Sequence, residues 1–221
     1  MTTLLLVRHG LTAMTGPVLA GWTPGVHLDE RGVAQAQALA DRLKDVPLAA
    51  VVSSPLERCV ETAAPLGYDV QTDERLGECR YGDWTGQELK KLAKDPLWKV
   101  VQAHPSAVTF PNGEALRDTQ ARAVQAIRHW NDTLGPDATY VAVSHGDVIK
   151  AIVADALGLH LDQFQRITAD PCSLTVIRYT ELRPFVVRLN DTGGGTDDLK
   201  PPKRKARTRK SSDAPVGGGA G

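Results

Sequence analysis

Two histidines stand where apolar stretches of the chain end. The segments are LLLVRHG at residues 4–10 and VAVSHG at residues 141–146, so His9 and His145 each follow a predicted strand and precede a glycine that lets the chain turn. Open α/β sheets place their ligands at the carboxyl ends of parallel strands. If the two strands are neighbours, we expect the two imidazoles to face each other.

Two arginines accompany these histidines. Arg8 directly precedes His9, and the segment SSPLER at residues 53–58 predicts a strand followed by a helix, with Ser54 in a capping box. Arg58 then lies in the first turn of that helix. Guanidinium groups and a helix N-terminus attract anions, so this combination predicts a phosphate site.

The same residues allow two kinds of chemistry. The two histidines with Glu78 or Asp147 resemble a metal site of two histidines and one carboxylate. The neighbouring arginines oppose a cation, which favours phosphoryl transfer instead. In that chemistry a neutral imidazole attacks phosphorus to form a phosphohistidine, and a carboxylic acid protonates the departing alkoxide.

Strands and helices alternate along the chain. Strands are predicted at residues 4–8, 49–53, 68–71, 139–144, 173–179 and 184–189, and helices at 29–44, from 54, at 87–99, 114–134 and 147–157. This alternation is typical of an α/β protein with a doubly wound, mostly parallel sheet flanked by helices. The last two strands are expected to form a hairpin that adds an antiparallel edge.

Composition is that of an ordinary globular protein. The 221 residues include 26 basic and 26 acidic side chains, and a formal net charge of zero implies neither a nucleic-acid nor a membrane partner. No apolar run is long enough to cross a bilayer. Cys59, Cys79 and Cys172 lack the spacing of a zinc site, and we expect reduced thiols in a cytoplasmic protein.

The composition changes near residue 190. Residues 1–190 are predicted to form one catalytic domain, and residues 191–221 a disordered tail that contains the basic run KPPKRKARTRK at 200–210. A flexible, solubilising tail is the favoured interpretation of such a run. The alternative is that the tail makes the protein an adaptor for nucleic acid or another acidic surface.

Four motifs now suggest a family. RHG at 8–10, SSPLERCVETA at 53–63, LGECRYGDWTG at 76–86 and VSHG at 143–146 resemble the histidine phosphatase superfamily, in the branch that contains cofactor-dependent phosphoglycerate mutase. The resemblance extends to a subgroup described as probable phosphatases or phosphomutases. It implies a phosphoglycerate mutase-like fold and activity without a metal or bound cofactor.

The resemblance also implies roles for the residues found above. His9 would be the phosphorylated nucleophile, and Arg8, Arg58 and His145 would hold the transferring phosphoryl group. Glu78 would act first as the general acid and then as the base that activates water.

Four other residues carry weaker expectations. Asp147 competes with Glu78 for the role of proton donor. Thr15, Gly21 and Tyr81 are further candidates for contact with the substrate.

Departures from the family pattern favour a hydrolase over a mutase. Thr15 occupies a position where the family usually has asparagine, and residues 87–110 contain lysines but no pair of adjacent arginines. In mutases such a pair clamps the carboxylate and second phosphate of the substrate. We therefore expect a phosphomonoester hydrolase that acts on a small phosphorylated metabolite, with a phosphoglycerate mutase as the alternative.

Overall fold

Residues 1–194 are described by a computed structural model, in which six strands and six helices alternate. The strands are β1 (Thr2–Arg8), β2 (Ala50–Ser53), β3 (Val70–Thr72), β4 (Thr139–Ser144), β5 (Leu174–Tyr179) and β6 (Pro184–Asp191). The helices are α1 (Glu30–Leu43), α2 (Glu57–Ala63), α3 (Leu89–Leu92), α4 (Pro96–Ala103), α5 (Leu116–Leu134) and α6 (Gly146–Ala156). Short 3-10 turns connect several of these elements.

One sheet contains all six strands, in the order β3-β2-β4-β1-β5-β6. The pairings of β1 with β4, β4 with β2 and β2 with β3 are parallel, whereas β5 runs antiparallel to both β1 and β6. The predicted fold class and antiparallel edge are thus confirmed. In the register of the central pair, Arg8 lies opposite Ser144, so the next residues, His9 and His145, leave the sheet side by side.

Helices cover both faces of the sheet, which explains why its central strands are apolar throughout. Alternate residues of β1 pack into two different clusters: Leu4 and Leu6 join the core beneath α5 and α6, and Leu5 and Val7 join the core beneath α1 and α2. Burial of each such side chain contributes roughly 2 kcal/mol. These strands form a rigid support for the loops at their carboxyl ends.

Helix α1 begins at a capping residue, Asp29. The side chain of Asp29 accepts a hydrogen bond of 2.8 Å from the backbone N–H of Gly32. The core-facing side of α1 includes Leu39, which is buried, whereas Val33 is 56% exposed.

The predicted capping box at the start of α2 is wrong. The backbone stays extended through Leu56, which is the N-cap and makes no side-chain capping bond. Ser54 is therefore outside the helix, and its hydroxyl lies 2.8 Å from Nε2 of His145. Arg58 does lie in the first turn, as predicted.

The single helix predicted over residues 87–99 is interrupted. It consists of α3 and α4, and Pro96 occupies the first turn of α4, where its missing N–H costs nothing. Asp95 caps α4 by accepting a hydrogen bond of 2.8 Å from the N–H of Leu97. The break makes α3 a short segment that lies beside the loop after β1, where the N–H of Leu89 donates to the carbonyl oxygen of Pro17.

The chain beyond β6 was predicted to be a tail from residue 191. Asp191 instead belongs to β6 and forms an ion pair of 2.9 Å with Arg42 of α1. The remainder of the predicted tail, from residue 195 onward, and with it the basic run at 200–210, lies outside the described residues. Within residues 1–194, no helix is long and apolar enough to cross a membrane.

Candidate active site

His9 presents a free lone pair to the cleft at the carboxyl edge of the sheet. The ring centroids of His9 and His145 are 5.3 Å apart, so the predicted juxtaposition is confirmed. Nδ1 of His9 lies 2.7 Å from the carbonyl oxygen of Gly10, which can only accept, so the proton resides on Nδ1. Nε2 is then unprotonated, which is the state that a nucleophile requires.

The surroundings keep the His9 imidazole neutral. Burial lowers its pKa well below the ordinary value, and the positive charges of Arg58 and Arg8 lower the pKa further. A neutral ring retains its nucleophilic lone pair at neutral pH. The same arginines that attract a phosphate therefore also maintain the reactive form of His9.

His145 has the opposite tautomer and no exposed surface. Its Nδ1 lies 3.3 Å from Nη2 of Arg58, which can only donate, so Nε2 carries the proton and donates to the hydroxyl of Ser54 at 2.8 Å. Burial and the charge of Arg58 lower the pKa of His145 well below the ordinary value. In this state His145 offers no proton to the cleft, so its predicted contact with the phosphoryl group stays a prediction, and His9 is the more accessible nucleophile.

Arg58 has donor groups that find no partner within residues 1–194. Its Nη2 donates to the carbonyl oxygen of Gly21 at 2.8 Å, but its Nε and Nη1 are buried without a hydrogen bond. A buried guanidinium with unsatisfied donors is costly unless an anion binds to it. Arg8 is also buried beside the cleft, where its Nη1 donates to the carbonyl oxygen of Ala169 at 2.8 Å.

This charge arrangement argues against the metal alternative. Nδ1 of His145, one of the atoms that would bind a metal ion, accepts a hydrogen bond from the Arg58 guanidinium. Among residues 1–194, no three His, Cys, Asp or Glu side chains are grouped so that they could hold a metal ion. The arginines make the site electropositive, which suits a phosphate dianion.

Glu78 is the carboxyl group that lines the cleft. Its Oε1 accepts a hydrogen bond of 2.9 Å from the N–H of Cys79, and its Oε2 lies 3.9 Å from Nδ1 of His145. Burial, together with the negative charge of Asp147, raises the pKa of Glu78 to about 7. A carboxyl group that retains its proton near neutral pH can act as a general acid.

Asp147 and Tyr81 lie behind the cleft. Both side chains are buried, and the Tyr81 hydroxyl donates to Oδ2 of Asp147 at 2.8 Å. Oδ1 of Asp147 also accepts a hydrogen bond of 3.2 Å from Lys150. The Tyr81 hydroxyl is thus engaged with Asp147, and a contact of Tyr81 with substrate stays a prediction. Glu78 is better placed than Asp147 to donate a proton into the cleft.

Thr15 and Gly21 both line the cleft. This position is consistent with their prediction as residues that contact substrate. The Thr15 hydroxyl is already engaged, since its Oγ1 accepts from the N–H of Thr12 at 3.0 Å and lies 3.0 Å from the Thr12 hydroxyl. Gly21 contributes its carbonyl oxygen to Arg58. A direct contact of either residue with substrate stays a prediction.

Arg122 on α5 binds the loop that carries Glu78. Its Nη1 donates to the carbonyl oxygens of Arg75 and Gly77 at 2.7 and 2.8 Å, and its Nη2 donates to that of Glu78 at 2.9 Å. Glu114 completes the arrangement by pairing with the Arg122 guanidinium through both carboxylate oxygens, at 2.6 and 3.1 Å. The pair thus fixes the backbone on which the carboxyl group stands.

Trp22 supports the same point of the loop from the other side. Its Nε1 donates to the carbonyl oxygen of Glu78 at 2.5 Å, and the Arg80 guanidinium lies 4.0 Å from the centre of the Trp22 ring.

The sequence analysis did not identify Arg122 and Glu114 as residues that position the site. The only local signal was a carboxylate and a guanidinium eight residues apart, and contacts to distant carbonyl oxygens leave no pattern in a sequence.

Replacement of Arg122 by methionine is expected to lower kcat by about 100-fold with little change in KM, because small displacements of a catalytic group cost about that much. Steady-state kinetics with an aryl phosphate measure the effect. Arg128→Met is the matched control on the same helix. Arg128 is exposed, and its ion pair with Asp155 is long, at 3.7 Å. Equal kinetics for the two variants would show that Arg122 does not position Glu78.

Comparisons with known proteins agree with this geometry. A family model described as the histidine phosphatase superfamily (branch 1) matches residues 4–192. Phosphoserine phosphatase 1 of Hydrogenobacter thermophilus is 31% identical over 207 residues, which cover 87% of this chain and 93% of that protein. Probable phosphoglycerate mutase GpmB of Cronobacter sakazakii is 28% identical, over 82% of this chain and 86% of that protein.

The fold is also similar to that of a solved structure. Bacillus stearothermophilus YhfR superposes with a TM-score of 0.79 at 30% identity, covering 86% of this chain and 98% of that chain. The resemblance inferred from the four motifs is therefore confirmed. Because the family model spans most of the chain, from β1 to the end of β6, this protein is an enzyme of the histidine phosphatase superfamily.

Proposed function

We propose that this protein is a metal-independent phosphomonoester hydrolase that acts on a small phosphorylated metabolite through a phosphohistidine at His9. The observation that carries the proposal is the buried Arg58 guanidinium, whose Nε and Nη1 have no hydrogen-bond partner among residues 1–194. A phosphoryl oxygen bound there would lie next to the unprotonated Nε2 of His9. The charges of the two buried arginines, Arg8 and Arg58, offset the charge of the phosphate.

In the first step, Nε2 of His9 attacks phosphorus while the bond from phosphorus to the ester oxygen breaks. Glu78 gives its proton to the departing oxygen, so the alcohol leaves neutral. The Nδ1–H bond to the carbonyl oxygen of Gly10, at 2.7 Å, holds the ring in the reactive orientation and stabilises the positive charge that develops on it. Arg8 and Arg58 hold the phosphoryl oxygens, and His145, whose Nδ1 accepts a hydrogen bond from Arg58, orients that guanidinium.

In the second step, the Glu78 carboxylate removes a proton from water, and the water oxygen attacks phosphorus as the N–P bond breaks. The products are inorganic phosphate, neutral His9 and protonated Glu78, so the enzyme returns to its starting state. The raised pKa of Glu78, about 7, suits both directions of this proton transfer.

The walls of the cleft favour hydrolysis over mutase activity. A mutase must hold its intermediate through a second charged group and keep water out. The lysines of the α3–α4 region, Lys90, Lys91, Lys94 and Lys99, are all exposed, and none of them lines the cleft. The cleft as described thus holds one phosphoryl group by charge and leaves water free to react.

Two assays test the proposal. Hydrolysis of an aryl phosphate should be unaffected by excess chelator, whereas a metal enzyme would lose activity on chelation. Interconversion of 3-phosphoglycerate and 2-phosphoglycerate, with and without 2,3-bisphosphoglycerate, should be much slower than release of inorganic phosphate from the aryl ester. Interconversion faster than hydrolysis would identify a mutase.

We also propose that the enzyme works in the cytoplasm. What supports this location is that Cys59, Cys79 and Cys172 are all free and buried thiols, as is usual where the environment is reducing. Burial raises the pKa of Cys59 to about 12, so this thiol stays protonated beside His145 and takes no part as a nucleophile.

A further inference from the structure

The outer wall of the cleft is apolar. Beyond the catalytic groups, the lining includes Met14, Val18 and Leu19 from the loop after β1, and Leu89 from the start of α3. The remaining outer positions are small residues or threonines with engaged hydroxyls. A substrate bound to the arginines therefore places the group beyond its ester oxygen against hydrocarbon.

This apolar wall is held together by backbone hydrogen bonds. The N–H of Leu19 donates to the carbonyl oxygen of Gln87 at 2.9 Å, and the N–H of Leu89 donates to that of Pro17 at 3.0 Å. The N–H of Gly86 donates in return to the carbonyl oxygen of Leu19 at 2.7 Å. The two segments thus form one continuous surface, and its apolar character is a built feature of the cleft.

The charges of the cleft all lie at its base. Of the lining residues among 1–194, the charged ones are Arg8, Arg58 and Glu78, and each already has a role in phosphoryl transfer. No cationic side chain of the described region lines the outer wall, so a carboxylate on the substrate would meet hydrocarbon there. An anion desolvated without a partner binds poorly.

We propose that this enzyme selects phosphomonoesters whose alcohol portion is uncharged and apolar next to the ester oxygen, and that it discriminates against phosphorylated carboxylic acids. The proposal rests on the hydrolase function given above and specifies its substrate class. An apolar wall recognises the alcohol by contact area, and a carboxylate would lose its hydration without gaining an ion pair.

A matched pair of substrates tests this selectivity with the full-length enzyme. Phenyl phosphate and 4-carboxyphenyl phosphate have similar phenolic leaving groups and differ by one carboxylate. We expect kcat/KM for phenyl phosphate to be at least about 10-fold higher, mainly through KM, because the difference lies in binding. O-phosphoserine should also be a poorer substrate than phenyl phosphate.

Variants of the wall sharpen the test. Leu89→Lys places a cation on the wall and should raise kcat/KM for 4-carboxyphenyl phosphate. The ratio of kcat/KM between phenyl phosphate and 4-carboxyphenyl phosphate should therefore become smaller. Because Leu89 also packs against the core, Val18→Lys provides the same charge from the other segment should the first variant fold poorly. Lys94→Ala removes a charge outside the cleft and should leave the ratio of kcat/KM between the two esters equal to that of the wild type.

The outcomes separate this proposal from the proposed function. If neither aryl ester is hydrolysed faster by the wild type than by His9→Ala, the hydrolase proposal is wrong. If both esters are hydrolysed through His9 but equally well, or if the carboxylated ester or O-phosphoserine is preferred, the substrate class proposed here is overturned and the hydrolase remains.

Discussion

Replacement of His9 by alanine is expected to lower kcat/KM for phosphomonoester hydrolysis by about 10⁴-fold or more, the scale of loss when a nucleophile is removed. The reason is geometric: Nε2 of His9 carries the lone pair directed into the cleft, whereas both nitrogens of His145 are engaged, with Arg58 and with Ser54. No neighbouring imidazole can therefore replace it. Initial rates with phenyl phosphate give the measurement.

A trapping experiment identifies the intermediate. Rapid quenching with ³²P-labelled substrate should place label on the wild-type protein in an acid-labile linkage, and the label should be absent from His9→Ala. His104→Ala is the control, since His104 is an exposed histidine outside the cleft. Label that persists in the His9 variant would show that a different residue is phosphorylated.

Much of the site followed from the sequence because of one local signal. A continuous apolar run that ends in a polar residue indicates a strand buried on both faces, and β1 and β4 both have this pattern. Parallel pairing of two such strands brings the residues after Arg8 and Ser144 together without any further information. The positions of His9 and His145 could be predicted for this reason.

Other features depend on contacts that no local pattern encodes. Ser54 has the sequence features of a helix cap, but a hydrogen-bond partner 91 residues away, His145, occupies its hydroxyl. Tyr81 lies in a recognisable motif, yet its hydroxyl reaches Asp147 across 66 residues. Local propensity cannot predict which of several possible partners a polar side chain chooses when the partners come together only in the folded chain.

Burial acts in opposite directions on the pKa values of the nucleophile and the proton donor. It lowers the pKa of His9 well below the ordinary value and raises that of Glu78 to about 7. Both groups are consequently uncharged over a common range of pH, one with its lone pair and the other with its proton. The alkaline end of this range is set by the pKa of Glu78.

Glu78→Gln is expected to lower kcat/KM for an alkyl phosphate by about 10²- to 10⁴-fold, the usual contribution of a general acid. In the wild type, Glu78 is protonated below its pKa, so log kcat/KM should fall with rising pH above about pH 7. The variant has no proton to lose at this position, so its low rate should lack that alkaline limb. A pH profile of kcat/KM from pH 5 to pH 9 measures both effects.

Comparison of two leaving groups distinguishes the loss of proton donation from a general disturbance of the active site. With 2,4-dinitrophenyl phosphate, whose leaving group departs without protonation, phosphorylation of the enzyme should be slowed far less by Glu78→Gln than with an alkyl ester. Pre-steady-state release of the dinitrophenol shows this. Asp147→Asn is the control: Asp147 is paired with Tyr81 and Lys150, so its loss should affect both esters alike. The reverse pattern would make Asp147 the proton donor.

Stability gives an independent check on Glu78. Its pKa rises from an ordinary value of 4.5 in the unfolded chain to about 7 in the fold, so the native state prefers the protonated form and loses stability as the pH increases through this range. Glutamine remains neutral at every pH. Glu78→Gln should therefore raise Tm more at pH 8 than at pH 5, while activity falls. An inactive variant that is also less stable at pH 8 would mean that Glu78 supports the fold and does not serve as a buried acid.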